Sequence, residues 1–333
     1  MKTQTILLKN RPEGKPKLSD FEFTTEDSIE TISSGEMLLE TAYVSVDPYL
    51  RGRMSDAKSY VPPFELNKPI HSGVVAKVID SKNDKFSEGD YVSGMLDWKT
   101  QQISKVEDLL KVDASKAPLS AYLGILGMTG LTAYCGLTQI GKPQAGETLV
   151  VSGAAGAVGS IVGQIGKILG LRVIGIAGTD EKIDMLKSKF GFDAGINYNT
   201  TDNMKTAIAE AAPDGVDIYF DNVGGPISDA IFFSINKFAR IINCGAISVY
   251  NNTELPKGLS VQPFLVKNSA LMQGFIVSNY VEKFPEAMKQ LSEWLAEGKL
   301  TYTETIVDGF DNIPKAFIDL FEGKNKGKMI VKI

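Results

Sequence analysis

The sequence predicts an α/β fold, a doubly wound parallel sheet inserted into a β-rich domain. Three observations carry the prediction. Residues 1–122 hold apolar and β-branched runs punctuated by Gly, Pro, Asn and Asp, with no long helical period. From Thr148 onward, short apolar runs alternate with segments of helical spacing, the pattern of parallel strands joined by crossover helices. Beyond Leu300 the text turns strand-like again, with one helix around Ala316 to Phe321. One domain is therefore expected from 1–122 plus 300–333 and a second from 123–299. That division suits a chain of 333 residues at roughly 150 per domain.

In the first domain Met37 to Val46, Gly73 to Ile79 and Tyr91 to Met95 have strand composition. Turns are expected at Arg11-Pro12-Glu13-Gly14 and Ser87-Glu88-Gly89-Asp90. In the second domain Thr148 to Ser152 reads as a buried strand. Val158, Ile161, Val162, Ile165, Ile168 and Leu169 then fall at helical spacing. Arg172 to Ala177 is a second strand, and Asp180 is expected to cap a helix running to Phe190. Gly195 to Tyr198, Val216 to Asn222, Ala239 to Gly245 and Leu271 to Val277 continue the strand series. A helix is expected over Asp202 to Ala212, and Phe284, Met288, Leu291 and Leu295 line one face of another.

Composition removes several classes of function. The 35 basic and 40 acidic side chains leave a net charge of −5, which draws the chain to neither nucleic acid nor an anionic membrane. No apolar stretch approaches the roughly 20 residues that span a bilayer. The start of the chain runs into only Ile6 to Leu8, too short for the apolar core of a secretory leader. Cys135 and Cys244 are the only cysteines, which excludes a disulfide framework and suits a reducing, cytoplasmic setting. His71 is the only histidine, so histidine and cysteine together cannot fill a four-ligand zinc site. No clustered acidic motif suggests magnesium, and no Gly-x-Ser-x-Gly elbow accompanies His71. No metal is expected.

The sharpest motif is Gly153-Ala154-Ala155-Gly156-Ala157-Val158-Gly159, between a predicted strand and a predicted helix. Small residues at such a turn let the backbone approach a pyrophosphate, which rests on the N–H groups of the helix start. Against G-x-G-x-x-G, Gly156 and Gly159 match while Ala154 replaces the first glycine. The end of the next strand, Gly178-Thr179-Asp180-Glu181-Lys182, decides between dinucleotides. An acid at the tip would read a ribose 2′-hydroxyl and repel a 2′-phosphate. Here Gly178 and Thr179 occupy the tip with Lys182 just beyond, which favours NADPH. The competing readings are a solvated Lys182, with Asp180 or Glu181 binding NAD.

With these residues in view, the chain resembles the zinc-free branch of the medium-chain dehydrogenase/reductases, the branch of prostaglandin reductases, leukotriene dehydrogenases and plant double-bond reductases. The resemblance covers essentially the whole chain. It is carried by Val46-Asp47-Pro48-Tyr49-Leu50-Arg51-Gly52-Arg53-Met54, Gly127-Met128-Thr129-Gly130-Leu131-Thr132-Ala133-Tyr134, the Ala154 to Gly159 turn, Asp221-Asn222-Val223-Gly224-Gly225, Cys244-Gly245-Ala246-Ile247-Ser248-Val249-Tyr250-Asn251, and Gly323-Lys324-Asn325-Lys326-Gly327-Lys328. It implies a Rossmann domain inserted into a GroES-like domain, with the cofactor in the interdomain cleft. Thr129 would touch the nicotinamide side. Ala154, Ala155, Gly156, Ala157, Val158 and Gly159 would hold the pyrophosphate, while Lys182 and Tyr198 would bind the 2′-phosphate. Asn222 and the strip Cys244, Gly245, Ala246, Ile247, Ser248 and Tyr250 would line the groove. Phe275, Ile276, Val277 and Asn325 would close on the nicotinamide. Tyr49 and Tyr250 would face the substrate.

The activity so implied is NADPH-dependent reduction of the carbon–carbon double bond of a small enone or enal. Hydride reaches the β-carbon, and the charge that develops on the carbonyl oxygen is met by the Tyr250 phenol or the nicotinamide ribose 2′-hydroxyl. Proton return to the α-carbon is left to water. Three alternatives stay open: a quinone reductase, a zinc alcohol dehydrogenase disfavoured by ligand count, and a non-enzymatic NADPH-binding protein. Arg51 and Arg53 are expected as solvated turn arginines, with an acidic substrate as the other use for them. Lys324, Lys326 and Lys328 are expected in a solvated loop. His71 is expected at a strand end. Tyr49 has a second reading as a packing aromatic. Family members often form homodimers through the edges of their Rossmann sheets, and the Leu271 to Val277 text is apolar enough for such an edge. Pro256 and Gly258 leave the loop from Asn251 to Gln262 open as either a lid or an ordered surface loop.

Overall fold

The computed structural model describes residues 2–29, 31–105 and 109–333. The chain forms two compact units: Met1–Gly124 with Thr305–Asn325 and Met329–Ile333, and Ile125–Glu304 with Lys326–Lys328.

The first unit opens with β1 (Lys2–Leu8), paired antiparallel with β2 (Phe21–Asp27) so that Leu8 lies opposite Phe21. Then follow β3 (Glu36–Ser45), the single turn α1 (Leu50–Arg53), β4 (His71–Ser81), β5 (Tyr91–Asp97), β6 (Gln101–Lys105) and β7 (Leu110–Val112). Trp98 is fully buried, and its indole N–H donates to Ser72 Oγ at 2.8 Å, so the polar atom of a large core side chain is satisfied.

The second unit carries a six-stranded sheet. Its elements in order are α2 (Met128–Cys135), a π-helical turn Gly136–Gly141, β8 (Thr148–Ser152), α3 (Gly159–Ile168), β9 (Arg172–Ala177), α4 (Asp180–Ser188), β10 (Ala194–Asn197), α5 (Met204–Ala211), β11 (Val216–Asp221), α6 (Gly225–Ile231), β12 (Ile235–Asn243), α7 (Gln262–Asn268), β13 (Leu271–Gly274) and α8 (Phe284–Ala296). The strand order is β10-β9-β8-β11-β12-β13, and every pairing within it is parallel. β8 is buried at every residue, as expected of a central parallel strand covered on both faces. In α8, Ala287, Leu291 and Trp294 form its buried stripe, one face of a 3.6-residue period.

The chain then completes the first unit with β14 (Glu304–Asp308), α9 (Ile313–Leu320) and β15 (Lys328–Lys332). β15 pairs antiparallel with β3, and the resulting sheet runs β14-β15-β3-β4-β5-β7, with β6 also paired to β3. The α/β architecture follows the sequence prediction, with local corrections. Thr179, not Asp180, caps α4: its hydroxyl accepts the Lys182 N–H at 3.2 Å, and Asp180 is the first helical residue. The strand expected at Ala239 to Gly245 begins earlier, at Ile235, and ends at Asn243. The strand expected to reach Val277 ends at Gly274, where a 3₁₀ segment Val277–Lys283 soon follows.

Candidate functional site

All strands of the second unit's sheet point the same way, so their carboxyl ends share one edge. The residue after each strand is a predicted site residue or adjoins one: Gly153 after β8, Gly178 after β9, Tyr198 after β10, Asn222 after β11, Cys244 after β12 and Phe275 after β13. The order reverses between β8 and β11, and at such a switch point the loops diverge and open a crevice for a ligand.

The glycine-rich turn sits at that point. Gly153 adopts φ +58, a left-handed conformation that side chains resist. Gly156 N–H returns to the Gly153 carbonyl at 3.0 Å, and Ala154 N–H donates to the Ile176 carbonyl at 3.0 Å. A Cβ on Gly159 would lie 2.5 Å from the Gly153 carbonyl oxygen and 2.8 Å from Ala154 Cα, so only glycine lets the helix start this close to the strand end. α3 then begins with no side-chain cap and no acid in its first turn. A helix start with neither a side-chain cap nor an acid suits an anion such as a pyrophosphate.

The tip of β9 forms a second corner. A Cβ on Gly178 would come within 2.7 Å of the Tyr198 hydroxyl, which places that phenol against the strand end. Asn199 Nδ2 donates to the Gly178 carbonyl at 2.7 Å, and Asn197 Nδ2 ties down Asp180 Oδ1 at 2.7 Å. Asp180 is thus engaged by a neighbouring strand. Lys182 is half-buried, and its ammonium is held below the ordinary lysine pKa by burial and then by the charge of Lys326, with Glu181 opposing. Lys326 itself pairs with the Glu181 carboxylate. The solvated-loop expectation holds for the exposed Lys324 and fails for Lys328. Lys324 pairs with Asp319 and Glu322, Lys326 reaches α4, and Lys328 is buried.

At the switch point itself a buried carboxylate, Asp221, organises the strand ends. Its Oδ1 accepts from Ser152 Oγ at 2.8 Å and from the Tyr219 hydroxyl, Val223 N–H and Gly224 N–H at 2.9 Å each. Its main-chain carbonyl accepts from Cys244 N–H at 2.8 Å and Gly245 N–H at 3.1 Å. Asn222 is fixed in turn, its N–H donating to Ser152 Oγ and its Nδ2 to the Ser152 carbonyl. Sequence reasoning missed Ser152 and Asp221, although a Ser and an Asp at the ends of apolar strands were the available signal.

The strip after β12 folds onto this network. Ile247 and Ser248 N–H groups donate to the Asn222 and Val223 carbonyls, and Ser248 Oγ donates to the Val223 carbonyl at 2.6 Å. The Tyr250 phenol oxygen accepts the Ala246 N–H at 3.1 Å. Burial raises its pKa, the Ala246 bond opposes, and Cys244 and Asp221 add to the rise. The phenol therefore keeps its proton at neutral pH, available to an acceptor. The Cys244 thiol is pushed up to about 12 by burial and by Asp221, which makes it a poor nucleophile. Phe275 packs edge-on to Phe220 and Tyr280. Ile276 and Val277, partly buried, follow it into the 3₁₀ segment, and Thr129 is buried on α2. The Asn251 to Gln262 loop is anchored in its second half: Leu259 N–H donates to Asp229 Oδ2 at 3.2 Å, and Leu259 and Val261 pack on the unit's core.

The remaining candidates belong to the first unit. Tyr49 precedes α1 and packs partly against the core, its phenol raised far above the ordinary range by burial and by Asp47. Arg51 corrects the solvated-arginine expectation: it is buried and donates to the Pro12 and Gly14 carbonyls, pinning the N-terminal turn. Arg53 stacks over the Phe64 ring at 4.1 Å, and Phe64 meets His71 edge-on at 5.1 Å. His71 is the first residue of β4, as expected, with its pKa lowered by burial and by Arg53. Asn325 lies in the first unit, directly before the Lys326–Lys328 segment of the second. Among the described residues, no group of three or more His, Cys, Asp and Glu side chains is placed to hold a metal ion.

Residues 4–112 match the family described as the N-terminal domain of oxidoreductase, and residues 157–294 match the zinc-binding dehydrogenase family. The Bacillus subtilis (strain 168) protein described as "Putative NADP-dependent oxidoreductase YfmJ" is 58% identical, covering 99% of this chain and 97% of its own. The 2-alkenal reductase (NADP(+)-dependent) of Nicotiana tabacum is 40% identical, covering 98% and 96%. The crystal structure of CurA in complex with NADPH from Vibrio vulnificus is 44% identical with a TM-score of 0.94, covering 99% and 98%. The chain belongs to the medium-chain dehydrogenase/reductase family, in its branch of NADP-dependent prostaglandin, curcumin and 2-alkenal reductases.

Proposed function

We propose that this protein reduces the carbon–carbon double bond of α,β-unsaturated aldehydes and ketones with NADPH. The observation that carries the proposal is a shared edge of the second unit's sheet. A phosphate-accepting turn, a lysine-bearing corner and a protonated, partly buried phenol all follow strand ends there. The Ala154–Gly159 cradle fits the pyrophosphate of a dinucleotide. The Gly178, Thr179, Lys182 and Tyr198 corner fits a 2′-phosphate. Bound NADPH supplies the hydride that the substrate β-carbon receives. Tyr250 donates its hydroxyl proton as a hydrogen bond to the carbonyl oxygen as negative charge builds there, while its own oxygen stays oriented by Ala246 N–H. Asn222, Cys244 to Ser248, Phe275 to Val277, Thr129 and Asn325 are assigned to cofactor binding. Tyr49 is assigned an apolar substrate contact, since burial and Asp47 hold its proton.

The test is NADPH and NADH oxidation with a panel of enones, enals and quinones, with product analysis. The expected result is NADPH preference and a saturated carbonyl product. Turnover of quinones alone, or tight NADPH binding without oxidation by any acceptor, would replace the reading.

The proposal extends to a homodimer in a reducing cytoplasm. Among the described residues β13 has a hydrogen-bonded neighbour only in β12, and all its residues are exposed, so an apolar sheet edge stands ready for a second copy. Sedimentation of the 36.1 kDa chain should give one species of twice that mass, and a monomer at micromolar concentration would remove the dimer from the proposal.

A further inference from the structure

We propose that Lys326 is a second cation for the cofactor's 2′-phosphate, delivered to the tip of β9 by the strap Lys326–Lys328 and held there by Glu181 until the phosphate arrives. The inference rests on the reading of Lys182 as a 2′-phosphate ligand.

The strap is a short excursion of the chain. Residues on either side belong to the first unit, while these three belong to the nucleotide-binding unit. Gly327 fixes it. Its N–H donates to the Ala155 carbonyl at 2.8 Å, and it bridges in parallel to Gly156 of the glycine-rich turn. Its φ is +65, and a Cβ there would lie 1.8 Å from the Thr303 carbonyl oxygen, so no side chain is admitted. Lys328 N–H donates to that same Thr303 carbonyl at 3.0 Å. With Gly327 held from both sides, the backbone of Lys326 is anchored beside the turn, and its ammonium reaches Glu181 in the first turn of α4.

Two ammoniums in one corner suit an anion. The charge of Lys326 disfavours that of Lys182, and the Glu181 carboxylate pairs with Lys326. A phosphate monoester carries about −1.5 to −2 at neutral pH and presents three acceptor oxygens, which matches two ammoniums. Its arrival lets Lys326 exchange a half-exposed ion pair with Glu181 for a charge-assisted contact shared with Lys182. NADH lacks that phosphate, so Lys326 stays on Glu181 and adds nothing to its binding. Lys326 therefore sets cofactor preference as well as affinity, and Glu181 opposes the phosphate it makes room for.

The test is fluorescence titration of the full-length protein with NADPH and with NADH, comparing Lys182→Gln, Lys326→Gln, Lys326→Arg and Glu181→Gln. Lys326→Gln is expected to weaken NADPH binding about 5- to 30-fold while NADH binding stays within about twofold. Lys326→Arg is expected to restore the preference, and Glu181→Gln to tighten NADPH binding several-fold by removing the competing carboxylate. If Lys182→Gln leaves the NADPH preference intact, the 2′-phosphate corner itself is wrong. If Lys182→Gln lowers the preference but Lys326→Gln does not, or if Lys326→Gln weakens both cofactors equally, the second-cation role alone is overturned.

Discussion

A Tyr250→Phe protein is expected to lose about 10²- to 10³-fold in kcat for enone reduction while binding NADPH as tightly as the parent. The substitution removes one oxygen and keeps the ring. That oxygen accepts the Ala246 N–H, so its lone pair faces the backbone and its proton faces away. An O–H fixed in this way needs no rearrangement when charge grows on a substrate carbonyl, which is why loss of one such donor costs so much. The pH profile supplies a second check. Burial raises the phenol pKa above its ordinary value near 10. The neutral phenol is the donor, so its contribution is constant across neutral pH and is lost only as pH climbs past that raised value. Stopped-flow turnover together with cofactor titration separates the two effects. Full turnover at unchanged affinity would remove Tyr250 from the chemistry. Weakened NADPH binding with unchanged kcat would make it a positioning residue for the cofactor.

The second large effect is on stability. Asp221→Ala is expected to lower unfolding free energy by about 3–5 kcal/mol and to abolish measurable NADPH binding. The carboxylate is buried and is the acceptor for four donors on the ends of β8 and β11 and the turn beyond. Removing it leaves two buried hydroxyls and two partly buried main-chain N–H groups without their acceptor, and each buried orphan costs on the order of 1–3 kcal/mol before relaxation. Gly224, one of the donors, then starts α6 at φ +69, a turn with little support once its hydrogen bond is gone. Urea denaturation followed by far-ultraviolet circular dichroism measures the loss. A change within about 0.5 kcal/mol, typical of neutral surface substitutions, would show that the network is ornamental.

The parallel strands were legible because burial on both faces writes them as continuous apolar runs, and Thr148–Ser152 and Arg172–Ala177 are found with the predicted ends. Strand ends in turn located the candidate cofactor residues, since a glycine-rich turn after such a run has few other uses. Local ambiguity explains the cap of α4, where Thr179 and Asp180 are adjacent and both residue types cap helices well. The short helices α6 and α7 are not legible in the sequence: each has seven residues and a proline in its first turn, which reads equally well as a loop. Lys326 was unreadable for a different reason. Its position depends on Gly327 meeting Ala155 and Thr303, partners remote in sequence, and no periodicity encodes such a meeting. Arg51 reads in sequence as a solvated turn residue for the same reason, since the Pro12 and Gly14 carbonyls that accept from it are remote in the chain.

The pairing of β15 with β3 bears on how the molecule is made. Ile330 lies opposite Ser45, so a strand translated early waits for one translated after the whole nucleotide-binding sheet. The nucleotide-binding sheet is encoded without interruption between them, and its strands are complete once the ribosome has passed Gly274. Domains tend to fold as units in the order they emerge. The sheet of the first unit is thus expected to mature last, with Tyr43–Ser45 of β3 lacking the β15 partner and β14 without its neighbour until β15 leaves the exit tunnel. Chaperone dependence during translation should accordingly fall on β3 and the strands paired with it.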